Sequence, residues 1–370
     1  MGGEHKYWVG FNLTKGIGPV RLRRLLASFG DLQSAWEASK PELEAAGLGS
    51  TLSDRLVQLR SETDLDDLMA GLRSRGIKVI TWMDEEYPLV LKNLEHSPPL
   101  LYVHGNLIPE DETAVAIVGT RRPTSYGRRV AQELAGALAR AGVTVVSGLA
   151  RGIDSEAHQE ALRSGGRTIA VLGSGLDQIY PPENRHLSEK IRQNGALVSD
   201  YPLGTSPDAV NFPPRNRIIS GLSAAVVVVE AGLQSGAMIT AGFAADQGKE
   251  VFAAPGQIYS PQCRGTNMLI QQGARPLLDP DEVLSFLNVQ RGFSQREARR
   301  SIPADPDERV ILDLLMDEPM LADDLCIRTS LSIEKITSVL AIMELKGLVR
   351  REGGMRFGAR QDPPSQPWMG

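Results

Sequence analysis

Two cysteines in 370 residues, Cys263 and Cys326, are too few and too far apart for a disulfide framework or a cysteine-rich zinc site. Such sparse thiols suit a reducing cytoplasm. Long apolar runs are missing too. The greasiest stretch, Ser223 to Ala231, is interrupted at Glu230, so nothing approaches the length of about 18 residues that a membrane span demands. The opening Met1-Gly2-Gly3-Glu4-His5-Lys6 lacks the charged and then apolar regions of a secretory signal.

Nucleotide and catalytic fingerprints are absent as well. There is no Gly-x4-Gly-Lys-Ser/Thr phosphate loop, and Gly173-Ser174-Gly175 is followed by Gln178 where a dinucleotide-binding turn places its third glycine. The chain has no Gly-x-Ser-x-Gly elbow, no His-Glu-x-x-His and no Cys-His-x-Glu spacing. These absences predict no cofactor, no metal and no enzymatic activity.

What is present is an ordinary globular composition, 42% hydrophobic and 23% charged, with enough chain for two or three domains. The net charge of −5 argues, as an average, against a nucleic-acid partner. Residues 1–105 read as a helical module with a connecting segment. Val20, Leu22, Leu25, Leu26 and Phe29 recur at helical spacing behind Gly16-Ile17-Gly18-Pro19. Small helices joined by such turns look like a helix-hairpin-helix, SAM-like module. Its turn either presents N–H groups to a phosphate beside Arg21, Arg23 and Arg24, or simply starts a helix.

Over 106–288 apolar segments alternate with amphipathic helices, the pattern of a doubly wound, Rossmann-like α/β sheet. Seven strands are expected: Thr113 to Val118, Val143 to Ser147, Thr168 to Leu172, Ala196 to Asp200, Ala224 to Glu230, Glu250 to Ala254 and Arg275 to Leu278. A polar, arginine-rich linker follows over 289–306. Three helices and a hairpin over 307–358 read as a winged helix, and 359–370 as a frayed tail.

Ligands of open α/β sheets sit beyond the carboxyl ends of the strands. The loops there are Gly119-Thr120-Arg121-Arg122, Gly148-Leu149-Ala150-Arg151-Gly152, Gly173-Ser174-Gly175 and Gly232-Leu233-Gln234-Ser235-Gly236. Small residues let a ligand approach the backbone, and arginine forks match phosphate oxygens. Split by segment, the charge changes sign. Residues 1–110 hold 12 basic and 15 acidic side chains, whereas 121–217 hold 13 and 9. Phe212-Pro213-Pro214-Arg215-Asn216-Arg217 sets a ring beside two guanidinium groups, as single-stranded nucleic-acid sites do. Alternatively Phe212 packs inward and the arginines pair with Asp208 or Glu230. His158, one turn after Asp154, either pairs with it or is satisfied beneath a capping carboxylate. Glu230 is a general base or a structural acceptor for Arg217 or Ser235.

These segments together resemble the DNA-processing protein A (DprA, or Smf) family. The resemblance is carried by Ile117 to Arg121, by Val146 to Asp154 with His158, and by Ala170 to Asp177 with Tyr180-Pro181. It continues through Asn211 to Ile219, Val229-Glu230-Ala231 with Ser235-Gly236 and Thr240, and Gly265 to Ile270. It implies an extended Rossmann fold that binds single-stranded DNA, forms a homodimer, and loads the recombinase RecA onto incoming strands during natural transformation. By position it implies DNA contacts at Arg121, Ser147, Gly148, Arg151, Gly152, Phe212, Arg215, Asn216, Arg217, Ser235, Gly236 and Thr240, with Met268, Leu269 and Ile270 near a dimer interface or in the core. Gln234 and Gly242 stand where many relatives carry lysine and arginine, and Lys249 or Arg264 would compensate.

Two other readings compete. A nucleoside-monophosphate phosphoribohydrolase would carry Pro-Gly-Gly-x-Gly-Thr-x-x-Glu, which Glu230 to Thr240 lacks. A transcription regulator would need a basic recognition helix, and Ser332 to Gly347 sets Lys335 and Lys346 against Glu334 and Glu344.

Overall fold

A computed structural model describes residues 4–288, 306–329, 331–345, 348–351 and 356–359. The expected linker, apart from Pro306, and the tail beyond Ala359 lie outside the described residues. The chain falls into two units, divided near Ser285 and Phe286.

The first unit opens with helices α1 (His5–Leu13), α2 (Pro19–Phe29), α3 (Leu32–Glu37), α4 (Lys40–Ala45), α5 (Ser50–Glu62) and α6 (Leu65–Ser74). Gly16, at φ +105°, turns the chain between α1 and α2, and Pro19 opens α2 with its φ already suited to a helix. Gly47 and Gly49, also in the left-handed region, make the corresponding turn between α4 and α5. Leu22, Leu25, Leu43 and Leu56 are buried between these helices, with Phe11 edge-on to Trp36 at 5.5 Å.

Strands and helices then follow as β1 (Ile77–Thr81), α7 (Leu89–Lys92), β2 (Leu100–Gly105), β3 (Val115–Gly119), α8 (Ser125–Arg140), β4 (Val145–Ser147), α9 (Ile153–Arg163), β5 (Thr168–Val171), α10 (Arg185–Gln193) and β6 (Gly195–Ser199). They continue as α11 (Phe212–Gly221), β7 (Ala225–Val229), α12 (Gly236–Asp246), β8 (Glu250–Ala253), α13 (Arg264–Gln271), β9 (Arg275–Pro276) and α14 (280–288). All seven expected strands are present, each end within two residues of its expected place.

The sheet order is β1-β2-β6-β5-β4-β3-β7-β8-β9. From β6 to β9 every pairing is parallel. The segment read only as a connection adds two strands, β2 antiparallel to β6 and β1 antiparallel to β2. The expected boundary at 105 and 106 therefore falls at the end of a sheet strand, and one hydrophobic core runs from the helical module into the sheet. β3 lies between β4 and β7, so the winding direction reverses there and opens a crevice at the carboxyl ends. Ala225 to Val229 are fully buried on both faces, which explains their unbroken apolar run.

The second unit contains α15 (Pro306–Asp317), β10 (Met320–Leu321), α16 (Ala322–Thr329), α17 (Ile333–Leu345), β11 (Val349–Arg351) and β12 (Arg356–Ala359). Its strands pair in the order β10-β12-β11 around Ile311, Leu325, Ile336, Leu340 and Phe357, the expected winged helix.

Candidate nucleic-acid interface

The carboxyl ends of β3, β4 and β7 and the start of α11 surround a cleft of about 750 Å³. Arg121 and Arg122 enter it from the loop after β3, and Gln234, Ser235 and Gly236 from the loop after β7. Ser235 caps α12 by accepting the Ala237 N–H at 3.3 Å, which turns the positive end of the α12 dipole toward the cleft. Phe212, Arg215 and Asn216 come from α11, and Thr240 lies one turn inside α12.

Phe212 is the hub. The Arg121 guanidinium lies 5.8 Å and that of Arg215 5.7 Å from its ring centre, with the Tyr180 ring tilted against it at 5.8 Å. Arg121 is exposed and Phe212 half-buried, so a cation and a ring face share one opening. Tyr180 is a cleft residue that motif reading passed over as a landmark. Its signal is an aromatic residue in the loop after β5, where a strand-end ligand lies.

Arg215 is almost fully buried and is a structural cation as much as a lining one. Its Nη1 donates to the carbonyls of Gly148, at 2.9 Å, and Val171, and its Nε to Asn216 Oδ1 at 3.3 Å. Burial lowers its pKa to about 10, so it stays charged at neutral pH. Nearby Asp154 accepts the Gly148 and Ala150 N–H groups at 3.1 and 3.3 Å. Burial raises its pKa, while Arg215 and these donors act in the opposite direction. The Gly148 and Ala150 N–H groups are thus taken up by Asp154. Gly148 is glycine because a Cβ there would stand 2.8 Å from Arg215 Nη2. Gly152, at φ +79°, packs the second loop so closely on the Thr120 carbonyl that a Cβ would overlap its oxygen.

Other expectations resolve differently. Ser147 is buried and donates to the Ile117 carbonyl at 2.6 Å, so it braces the sheet below the cleft. Arg151 is exposed, pairs with Glu183, and joins Gly148 around a small hollow beside the cleft. Arg217 does not line the cleft. Successive residues of a helix diverge by about 100°, and with Arg215 and Asn216 turned to the cleft, Arg217 reaches Asp200 at 2.6 Å instead. Lys249 precedes β8 and so lies at the amino end of the parallel sheet, away from the cleft. Gln234 does line it, whereas Gly242 does not. Met268, Leu269 and Ile270 are half-buried on α13, with Leu269 packed on the core.

His158 does not pair with Asp154. Its Nδ1 shares a 2.6 Å hydrogen bond with Thr168 Oγ1, and burial, reinforced by Arg215, pushes its pKa down to about 3. Glu230 holds neither Arg217 nor Ser235. It accepts the Thr124 N–H at 2.8 Å and the Thr124 hydroxyl, fixing the start of α8. Glu230 and Leu149, both in strand-end loops, hold left-handed φ of 50° and 57°, strain that the surrounding loops must impose.

The pattern of the family described as DNA recombination-mediator protein A matches residues 78–288, and that of the DprA winged helix domain matches 295–355. The chain belongs to the DprA/Smf family. Protein Smf of Synechocystis is 36% identical over 394 residues, covering 96% of this chain and 99% of the relative. Protein Smf of Escherichia coli is 36% identical over 345 residues, covering 89% and 92%. Among solved structures, DprA of Streptococcus pneumoniae superposes with a TM-score of 0.66 at 31% identity, over 76% of this chain and 97% of that one. DprA of Helicobacter pylori, described for its single-stranded DNA binding mode, gives 0.52 at 33% identity, over 58% and 96%. As a DprA/Smf member the chain presents a cleft that unites most of the positions inferred by resemblance. No helix among the described residues is long and apolar enough to cross a membrane.

Proposed function

We propose that this protein is a recombination mediator that binds single-stranded DNA in the strand-end cleft, protects incoming strands and loads RecA onto them during natural transformation. One observation carries the reading: the Phe212 ring with the Arg121 and Arg215 guanidinium groups 5.8 and 5.7 Å from its centre, in a cleft that the α12 N-terminus also lines. Phosphates meet cations and N–H groups while bases stack on rings, an arrangement that tolerates any sequence and needs strands without a partner. The single-strand binding of the Helicobacter pylori relative supports it.

In this reading the protein is cytoplasmic, has no chemical step and acts as a homodimer, with the Met268 to Ile270 face of α13 near the interface. Gel shifts comparing single-stranded with double-stranded DNA test the binding claim, and a preference for duplex overturns it. Release of adenine from AMP would make the protein a phosphoribohydrolase. RecA filament growth on single strands, with and without the protein, tests loading; equal rates refute it.

A further inference from the structure

Glu230, the first residue after β7, holds both ends of the loop that carries Arg121 and Arg122. Its backbone carbonyl accepts the Thr120 N–H at 2.7 Å. Its carboxylate accepts the Thr124 N–H at 2.8 Å and the Thr124 hydroxyl. Between these anchors the Thr120 hydroxyl oxygen accepts the Arg122 N–H at 3.2 Å, and the Thr120 carbonyl accepts the Ile153 N–H at 3.2 Å. The whole connection from β3 to α8, Thr120 to Thr124, is thus pinned by one residue of a different strand end.

The fit around Glu230 is tight. A Cβ on Gly127, in the first turn of α8, would stand 2.3 Å from Glu230 Oε2. The left-handed φ of 50° at Glu230 is one that a non-glycine residue keeps only where its surroundings impose it, often at ligand clamps. Glu230 is 2% exposed and does not line the cleft, so it does not itself touch a strand. Arg121 does line the cleft and has no carboxylate partner among the described residues. Its place there depends on its backbone loop and on the Phe212 face.

We propose that Glu230 is a positioning residue for single-strand binding: it locks the loop after β3 to the loop after β7, so that Arg121 is held on the cleft wall before a strand arrives. The inference rests on the strand-end cleft being the single-strand site. Ordering the arginine loop during folding spares that cost on binding, which is how preorganisation raises affinity. Glu230 then acts on the strand only through the residues it positions, so its effect and that of Arg121 must be non-additive.

Affinity for a thymidine oligonucleotide is measured in a double-mutant cycle, over a salt series and at a temperature where circular dichroism shows every variant folded. Arg121→Ala should weaken binding about ten-fold in the wild-type chain but only about two-fold in Glu230→Ala, where the side chain it removes is already misplaced. Glu230→Ala should also make the salt slope shallower by about 0.7, which a mere fall in the folded fraction would leave unchanged. Glu230→Gln, whose amide oxygen still accepts the Thr124 N–H, should restore most of the affinity. If Glu230→Ala does not fold, Thr124→Val takes its place in the cycle and Thr124→Ser becomes the rescue. Equal effects of Arg121→Ala in both backgrounds, or an unchanged slope, overturn the proposal. Wild-type binding by Arg121→Ala overturns the strand-end site instead, and this proposal with it.

Discussion

Arg215 closes against Gly148: its Nη1 donates to the Gly148 carbonyl at 2.9 Å, and its Nη2 stands 2.8 Å from where a Cβ on Gly148 would be. The loop after β4 is thereby moulded on a buried guanidinium, whose charge is offset by Asp154. Gly148→Ala should destabilise the protein by about 1 to 3 kcal/mol through overpacking. Arg215→Ala should cost about 3 to 5 kcal/mol, because it leaves Asp154 buried without its cation and two carbonyls unpaired. Urea denaturation measures both, and wild-type stability in Arg215→Ala would refute the structural role.

Arg121 and Phe212, less buried than Arg215, should behave oppositely. Arg121→Glu should keep the wild-type melting temperature and weaken single-strand binding with a shallower salt dependence, by about 0.7 in log–log slope for each phosphate no longer neutralised. Phe212→Ala should lose about 1 to 3 kcal/mol of binding. Fluorescence anisotropy over a salt series reads both.

Arg217→Glu separates fold from site. It sets a second carboxylate against half-buried Asp200, so melting should shift downward while the folded fraction binds single strands with the wild-type salt slope. A changed slope would return Arg217 to the DNA contacts.

Gln234 lines the cleft and is exposed, so Gln234→Lys should tighten single-strand binding and steepen the salt slope by about 0.7. Unchanged affinity in a titration at low salt would show that this rim does not meet the backbone of the strand.

His158 predicts an acid dependence of stability. Its folded pKa, about 3, lies below the unfolded value near 6.5, so the unfolded chain binds the extra proton between them. The contribution is complete above pH of about 6.5 and is lost as pH falls toward 3, by about 1.4 kcal/mol per unit. Denaturation curves at several pH values should therefore show a flatter dependence in His158→Gln than in wild type. Parallel curves would refute it.

The sequence by itself determined the periodic core, the seven parallel strands and the winged helix, because buried strands and capped helices leave local patterns. It also placed the cationic loops at the strand ends, since where a loop follows a strand is read from the same periodicity. Direction was beyond it. Arg215 and Arg217 are two residues apart with the same chemistry, yet one turns to the cleft and the other to Asp200. Lys249 is near Thr240 in sequence but at the other end of the sheet. The capture of β1 and β2 by β6 was equally hidden, since pairing partners far along the chain leave no local pattern. Only the tertiary structure decided which cations are free for a ligand, because burial and partner geometry arise from packing between elements distant in sequence.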